Sequence, residues 1–193
     1  MKLAIVDVGC GNIGSVGIAI ERFGIAPVVT GDLDEIAAAD KVILPGVGAA
    51  GFAMERIEAL GLAPVLRALR QPALGICLGM QLLFERSEEE DSACLGLIPG
   101  RVRKLEPAPG RPVPHMGWSR VEVRDEAVGL RSGDYVYFAH SFACDFGPET
   151  VASADYGREI PAVVSRGNWL GAQFHPERSG EAGARFLRSW LDR

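Results

Sequence analysis

The first half of the chain alternates short, unbroken apolar runs with longer stretches in which apolar residues recur every three or four positions. Unbroken runs are typical of strands buried on both faces, and the longer period is typical of amphipathic helices. The pattern predicts strands at residues 3–6, 27–30, 41–44 and 73–76. It predicts helices at residues 13–23, 52–60 and 62–70. Strands and helices therefore alternate, as they do in folds with a parallel sheet.

The second half has a different pattern. Beyond Pro99, short strands are broken by proline and glycine, and Val121 and Val123 alternate with charged residues. Such alternation predicts antiparallel strands with one face in water. The chain closes on residues 179–191, where an apolar stripe at helical spacing is expected to pack on the core. The acidic run at residues 85–91 is interpreted as a solvated loop.

These elements predict an α/β fold. We expect a three-layer, flavodoxin-like sandwich with a mostly parallel central sheet and an antiparallel extension in the C-terminal half. No linker, repeat or low-complexity segment interrupts the 193 residues. Residues 1–193 are therefore expected to form a single domain, large enough to bury a substantial core.

Composition narrows the classes of function. Hydrophobic residues make up 48% of the chain and the formal net charge is −5, so no basic surplus attracts nucleic acid or anionic lipid. No apolar run is long enough to span a membrane and no leader precedes the first strand, which predicts a cytoplasmic protein. The four cysteines include no C-x-x-C pair, so we expect neither a metal site nor disulfides, and no cofactor is implied.

Segment 73–81, with the sequence ALGICLGMQ, carries the strongest chemical signal. Its apolar run closes on Gly75, Cys77 and Gly79, as in G-x-S-x-G elbows, where a tight strand-to-helix turn exposes the nucleophile and flanking glycines avoid collisions. The turn aims a helix N-terminus at the thiol, which favours the thiolate. Cys77 is therefore the candidate nucleophile. The alternative is a small buried hydrophobe, which most free cysteines are.

A thiolate nucleophile needs an oriented base, and the chain has three histidines, His115, His140 and His175. His175 follows an apolar strand pattern directly and precedes Pro176, which keeps its backbone extended. Side chains two positions apart on an extended backbone project to one side, so Glu177 can orient the His175 ring. A surface turn with a chance histidine and glutamate is the alternative.

A glycine-rich loop, Pro45 to Gly51, follows the third strand. An oxyanion hole takes one N–H from the residue after the nucleophile, here Leu78, and one from a neighbouring strand-end loop. Val47 or Gly48 is the candidate for the second donor.

Residues 9–14, with the sequence GCGNIG, support a rival interpretation. They fit G-x-G-x-x-G between a strand and a helix, and Asp32 follows the second strand, as in dinucleotide-binding domains. That interpretation leaves Cys77 and the His175–Glu177 pair without a role, and it leaves little room for a substrate domain. It stays as an alternative.

The GICLGMQ elbow and the QFHPE strand end resemble class I, triad-type glutamine amidotransferases. The resemblance implies that Cys77, His175 and Glu177 form a triad that hydrolyses the glutamine side-chain amide to ammonia. It covers nearly the whole chain, because further segments resemble the family of glutaminase subunits of imidazole glycerol phosphate synthase, in histidine biosynthesis. These segments are VDVGCGN at 6–12, LPGVG at 44–48, PHMGW at 114–118, YFAHSF at 137–142 and HPERS at 175–179.

This resemblance also implies partners and site residues. The partner is a cyclase subunit, a (β/α)₈ barrel that uses the ammonia to make imidazole glycerol phosphate and aminoimidazole carboxamide ribotide. Four residues match positions that hold glutamine: Gln81, Ser141, Phe142 and His140. Four match positions that face the partner: Asp7, Gly11, Asn12 and Arg178.

Three positions depart from the family pattern: Ser119 replaces the usual asparagine, Phe142 a common tyrosine and Arg178 the usual lysine. None is in the triad, although a rigid guanidinium does not replace an ammonium one for one. Two alternatives stay open. One is the glutaminase subunit of another amidotransferase, such as pyridoxal phosphate synthase, and the other is a non-catalytic binding module with an inert Cys77.

Overall fold

The computed structural model describes residues 1–9, 12–46 and 48–193. Its strands are β1 (Leu3–Val6), β2 (Val28–Thr30), β3 (Lys41–Gly46), β4 (Ala73–Cys77), β5 (Arg86–Ser87), β6 (Ser92–Ala93), β7 (Arg101–Lys104), β8 (His115–Val123), β9 (Tyr135–His140), β10 (Phe142–Cys144), β11 (Thr150–Asp155), β12 (Glu159–Arg166) and β13 (Trp169–Ala172). Its helices are α1 (Ile13–Glu21), α2 (Leu33–Ala37), α3 (Ala50–Ala59), α4 (Leu62–Ala68), α5 (Leu78–Gln81) and α6 (Gly180–Leu191). Short 3₁₀ helices lie at Glu89–Asp91, Glu126–Val128 and Pro176–Arg178.

Among the described residues, nine strands form one large mixed sheet in the order β2-β1-β3-β4-β13-β12-β11-β8-β9. The five strands from β2 to β13 are parallel, and β12, β11, β8 and β9 continue the sheet with antiparallel pairings. The predicted α/β fold with a parallel part and an antiparallel C-terminal extension is confirmed. Among the described residues, no helix is long and apolar enough to cross a membrane.

The core lies on both faces of this sheet. Leu3 and Ile5 of β1 pack into one apolar cluster with residues of α1 and α6, whereas Ala4 and Val6 pack into a second cluster with residues of α2, α3 and α4. Alternate side chains of a strand point to opposite faces, so an unbroken apolar strand needs a helical layer on each side. This burial explains why the first strand has no polar alternation.

A second, four-stranded sheet with the order β10-β7-β5-β6 was not predicted. Its strands have two to four residues, too few for a readable period. The interpretation of residues 85–91 as a solvated loop is wrong, because they form β5 and a 3₁₀ helix that contacts α3. Within this segment, Glu89 accepts a hydrogen bond from the Ala50 amide at 2.9 Å.

The functional edge of the sheet lies where the parallel strands end. Gly46, the last residue of β3, is in register with Cys77, the last residue of β4. On the other side of β4, Ala172 of β13 is in register with Ile76. The chain leaving β3 and the chain leaving β13 therefore flank Cys77, because the carboxyl ends of neighbouring parallel strands meet at one edge.

Two glycines allow this close packing. A Cβ on Gly75 would lie 2.6 Å from the Gly79 carbonyl oxygen, and a Cβ on Gly79 would collide with the Leu44 carbonyl oxygen. We predict that Gly79→Ala lowers the free energy of unfolding by roughly 1–3 kcal/mol, because backbone atoms must shift. Urea unfolding followed by circular dichroism measures the change.

Gly14, in α1, is the matched control. A Cβ there meets nothing within 4 Å and its φ is not positive, so Gly14→Ala should leave the unfolding free energy unchanged or raise it by about 0.4–1 kcal/mol. Equal stability of Gly79→Ala and the unsubstituted chain would show that the elbow tolerates a side chain.

Candidate functional site

Cys77 occupies the predicted turn between β4 and α5. Its backbone has φ 54° and ψ −109°, a conformation that L-residues rarely adopt and that costs on the order of 1–3 kcal/mol. Such strain is concentrated at functional sites, where the surrounding structure enforces it. Helix α5 has only four residues, so the dipole support expected from a helix N-terminus is that of a single turn.

His175 and Glu177 form the expected pair by a different route from the one predicted. His175 is extended, with φ −96° and ψ 98°, but Pro176–Arg178 is a 3₁₀ helix rather than a continuing strand. This turn brings Glu177 Oε1 to 2.8 Å from His175 Nδ1. The Ser179 hydroxyl donates to the His175 carbonyl at 2.7 Å and accepts the Tyr137 amide at 2.9 Å, which fastens the turn to β9.

The environment of His175 favours its protonated form. Burial alone would lower the His175 pKa, but hydrogen bonds with Cys77 and Glu177, together with their charges, outweigh it and raise the pKa to about 10. The Glu177 side chain is only 1% exposed, so its charge acts on the ring with little screening by water. The imidazolium formed when Cys77 gives up its proton is therefore stabilised.

Two other cysteines have environments that oppose reactivity. Burial raises the pKa of the Cys94 thiol to about 11 and raises that of the Cys144 thiol well above its usual range. A thiol held in its neutral form is a poor nucleophile. Cys77, by contrast, acts on the His175 imidazole and helps to raise the pKa of that ring.

A cavity of about 200 Å³ opens beside Cys77. This volume is below the roughly 300–1,000 Å³ of drug-sized sites and suits a small amino acid. The cavity is lined by six of the predicted site residues besides Cys77: Leu78, Gly48, Gln81, His140, Ser141 and Phe142. Val47, the other oxyanion candidate, lies outside the described residues.

The glutamine amidotransferase class-I family model matches residues 11–192 of the chain. The chain belongs to the class I glutamine amidotransferases. The imidazole glycerol phosphate synthase subunit HisH of Xanthomonas axonopodis pv. citri is 51% identical over 193 residues, covering 98% of this chain and 96% of that protein. The subunit of the same name from Idiomarina loihiensis is 46% identical, and the alignment covers 100% of this chain and 98% of that protein.

Structural comparison agrees with the family. A crystal structure described as a glutamine amidotransferase superimposes with a TM-score of 0.78 and is 21% identical in sequence. The superposition covers 100% of this chain and 98% of that chain. At that identity the likeness shows the fold alone. The resemblance predicted from the sequence is confirmed by the family match and the HisH relatives, and it disfavours the dinucleotide-binding alternative.

Asp32, which supported the rival interpretation, has a structural role in this amidotransferase. Its side chain accepts the Glu35 amide at 2.9 Å and caps the N-terminus of α2. Cys10 and Gly11 lie outside the described residues. Within the residues that are described, no cluster of three or more His, Cys, Asp or Glu side chains could hold a metal ion.

Gln81 and Gln173 connect the elbow to the far wall of the cavity. The Gln81 amide donates to the Phe142 carbonyl at 2.8 Å and to Gln173 Oε1 at 3.0 Å. The Gln173 amide lies 3.9 Å from Cys77 Sγ. The amidotransferase thus uses the Gln81 donors within the protein, and its buried Gln173 is a site residue that sequence reasoning missed.

Glu89 was missed as well. It lines the cavity of the amidotransferase together with Cys77, and burial raises its pKa. No strand or turn motif marks it, since it stands within an acidic run of the sequence. Two acidic residues before it and two after it hide the one that faces the cavity.

The predicted partner-facing residues have exposed positions where they are described. Asp7, Asn12 and Arg178 are exposed, and Gly11 lies outside the described residues. The Arg178 guanidinium stacks over the Tyr137 ring at 4.4 Å. A planar guanidinium suits this stacking better than an ammonium, which gives the departure from lysine a physical role.

Proposed function

We propose that this chain hydrolyses L-glutamine to L-glutamate and ammonia as the glutaminase subunit of imidazole glycerol phosphate synthase, in L-histidine biosynthesis. The observation that carries the proposal is the Cys77–His175–Glu177 arrangement beside a cavity of about 200 Å³. Relatives about 50% identical over nearly the full length, named as HisH subunits of that enzyme, support the subunit assignment. We infer that residues 1–193 act as one domain in the cytoplasm.

The reaction begins when the Cys77 thiolate attacks the side-chain carbonyl carbon of glutamine. An S–C bond forms and negative charge moves onto the carbonyl oxygen. Backbone N–H groups of Leu78 and of the Val47–Gly48 loop are proposed to hold this oxyanion, which is the largest single contribution in acyl transfer. Gly48 lines the cavity and has a φ of 101°, a conformation that favours glycine, which supports its candidacy.

His175 then gives its proton to the leaving nitrogen, and the C–N bond breaks to release ammonia. His175, now neutral, takes a proton from water, and the resulting hydroxide attacks the thioester carbonyl. A second oxyanion collapses, the S–C bond breaks, and glutamate leaves with Cys77 regenerated. Glu177 keeps the ring oriented throughout and stabilises its charged form.

Substrate recognition needs partners for both charged groups at the amino-acid end of glutamine. Glu89 supplies the negative charge for the ammonium group, since one carboxylate oxygen already accepts the Ala50 amide and the other is available. The Ser141–Phe142 segment and His140 form the opposite wall. Gln81 holds this wall through the Phe142 carbonyl.

The ammonia must reach an acceptor before water protonates it, so the proposed partner is the cyclase subunit in a heterodimer. Exposed apolar and aromatic groups surround the triad turn: Met116 is 65% exposed and Trp118 54%, and the Trp118 and Tyr137 rings contact each other edge to face. Aromatic and methionine side chains with arginine at the edge are typical of protein interfaces. Asp7, Gly11, Asn12 and Arg178 are proposed to extend this docking surface.

The triad assignment predicts that Cys77→Ala abolishes glutamate release by the ligand-loaded complex. Glu177→Gln should lower turnover on the order of a hundredfold or more, with little change in glutamine affinity, because the carboxylate orients the base and does not touch glutamine. A coupled glutamate assay gives both numbers. Cys94→Ala, which removes a buried thiol outside the triad, is the matched control, and turnover near wild type in Cys77→Ala would contradict the mechanism.

The ammonium-binding role of Glu89 predicts that Glu89→Gln raises the KM for glutamine on the order of tenfold or more while kcat changes little, because one charge-assisted hydrogen bond is lost. Glu88→Gln is the control, since Glu88 pairs with Arg103 and the Lys104 amide outside the cavity. Equal KM values for the two variants would assign the ammonium group to another partner.

Control by the partner gives a further prediction, because hydrolysis without an ammonia acceptor wastes glutamine. The chain alone should be nearly silent, and turnover should rise at least about a hundredfold once the cyclase carries its ligand, the effect of completing an oxyanion hole. Trp118→Ala should weaken complex formation, whereas Phe146→Ala, an exposed aromatic outside the docking surface, should not. Full activity of the isolated chain would refute this control.

A further inference from the structure

Two buried histidines form a hydrogen-bond chain that the mechanism does not use. His115 Nδ1 lies 3.1 Å from His140 Nε2, and His140 Nδ1 lies 2.7 Å from the Phe142 carbonyl oxygen. At the other end, His115 Nε2 lies 2.8 Å from the Ser119 hydroxyl. This series of hydrogen bonds therefore runs from the Ser119 side chain on β8 to a main-chain carbonyl in the wall of the glutamine cavity.

When both rings are neutral, only one arrangement of protons satisfies all three contacts. A carbonyl oxygen can only accept, so His140 Nδ1 carries the proton and its Nε2 is the acceptor. His115 must then donate from Nδ1, which leaves its Nε2 as an acceptor. The Ser119 hydroxyl is therefore the donor to His115.

This arrangement requires both rings to be neutral, and the surroundings make them so. Burial lowers the pKa of His115 to about 4 and that of His140 to about 3. The His115 ring is also fixed in orientation, stacked between Phe138 at 4.6 Å and Tyr156 at 3.9 Å. Its orientation and its tautomer are thus both determined by the groups around it.

The series of hydrogen bonds ends on the Phe142 carbonyl, which also accepts a hydrogen bond from the Gln81 side-chain amide at 2.8 Å. Two donors on one carbonyl fix the direction of that peptide plane. Ser141 and Phe142 line the cavity, so the plane determines where the opposite wall presents its groups.

We propose that Ser119 is a positioning residue whose hydroxyl donates to His115 Nε2, completes this hydrogen-bond chain and thereby holds the Phe142 peptide in the glutamine cavity. The kinetic part of this inference rests on the proposed function. Without the hydroxyl, the buried His115 Nε2 is an acceptor that has lost its donor, which destabilises this arrangement of the two rings.

The first test is nitrogen NMR of isotope-labelled histidine in the full chain, which has only three histidines. We expect His115 and His140 to be neutral and protonated at Nδ1 in the unsubstituted chain. In Ser119→Ala, His115 should stay protonated at Nδ1, while its Nε2 signal moves downfield because that nitrogen has lost its hydrogen-bond donor. Nε2 protonation of either ring in the unsubstituted chain, or no change in Ser119→Ala, would overturn the proposal without bearing on glutamine hydrolysis.

The second test is steady-state kinetics of the ligand-loaded complex. Ser119→Ala should raise the KM for glutamine roughly two- to tenfold, the equivalent of one net hydrogen bond, with kcat nearly unchanged. Ser119→Thr keeps the hydroxyl in a residue that suits a strand, so it should restore the KM. An unchanged KM in Ser119→Ala, or an equal loss in Ser119→Thr, would refute positioning by the hydroxyl, whereas absence of glutamate release by the unsubstituted complex would refute the proposed function alone.

Discussion

The backbone conformation at Cys77 is the constraint on which the site depends. A φ of 54° in a cysteine is unfavourable by on the order of 1–3 kcal/mol, so the surrounding packing must enforce it. Gly75 and Gly79 make this packing possible, because a side chain at either position would meet backbone atoms of the neighbouring segment. The thiol consequently lines the cavity at the sheet edge, although Cys77 is buried and also packs against the first apolar cluster.

Parallel pairing on both sides of β4 assembles the remainder of the site. The register of β3 places the glycine-rich loop next to Cys77, and the register of β13 places Gln173 and then His175 on the other side. Residues almost one hundred positions apart are thus brought together by strand order alone. The antiparallel extension supplies the far wall, since β9 and β10 carry His140 and the Ser141–Phe142 segment.

Sequence reasoning succeeded where a local pattern carries the chemistry. The elbow around Cys77 and the His175–Glu177 pair are each contained within a few residues, although the pair meets through a 3₁₀ turn rather than an extended strand. Glu89 and Gln173 were missed because their roles depend on which side of a segment faces the cavity. For Glu89 that orientation follows from packing of a short irregular segment against α3, and no period in the sequence encodes it.

The three histidines show how neighbours assign opposite tasks to one residue type. His175 lies beside a buried carboxylate and a thiol, and these groups overcome burial and hold its proton. His115 and His140 are buried without a carboxylate partner among their described contacts, so desolvation removes their charge. A neutral imidazole has one donor and one acceptor, which gives a chain of such rings a direction. The amidotransferase therefore has one histidine suited to moving protons and two suited to holding them in place.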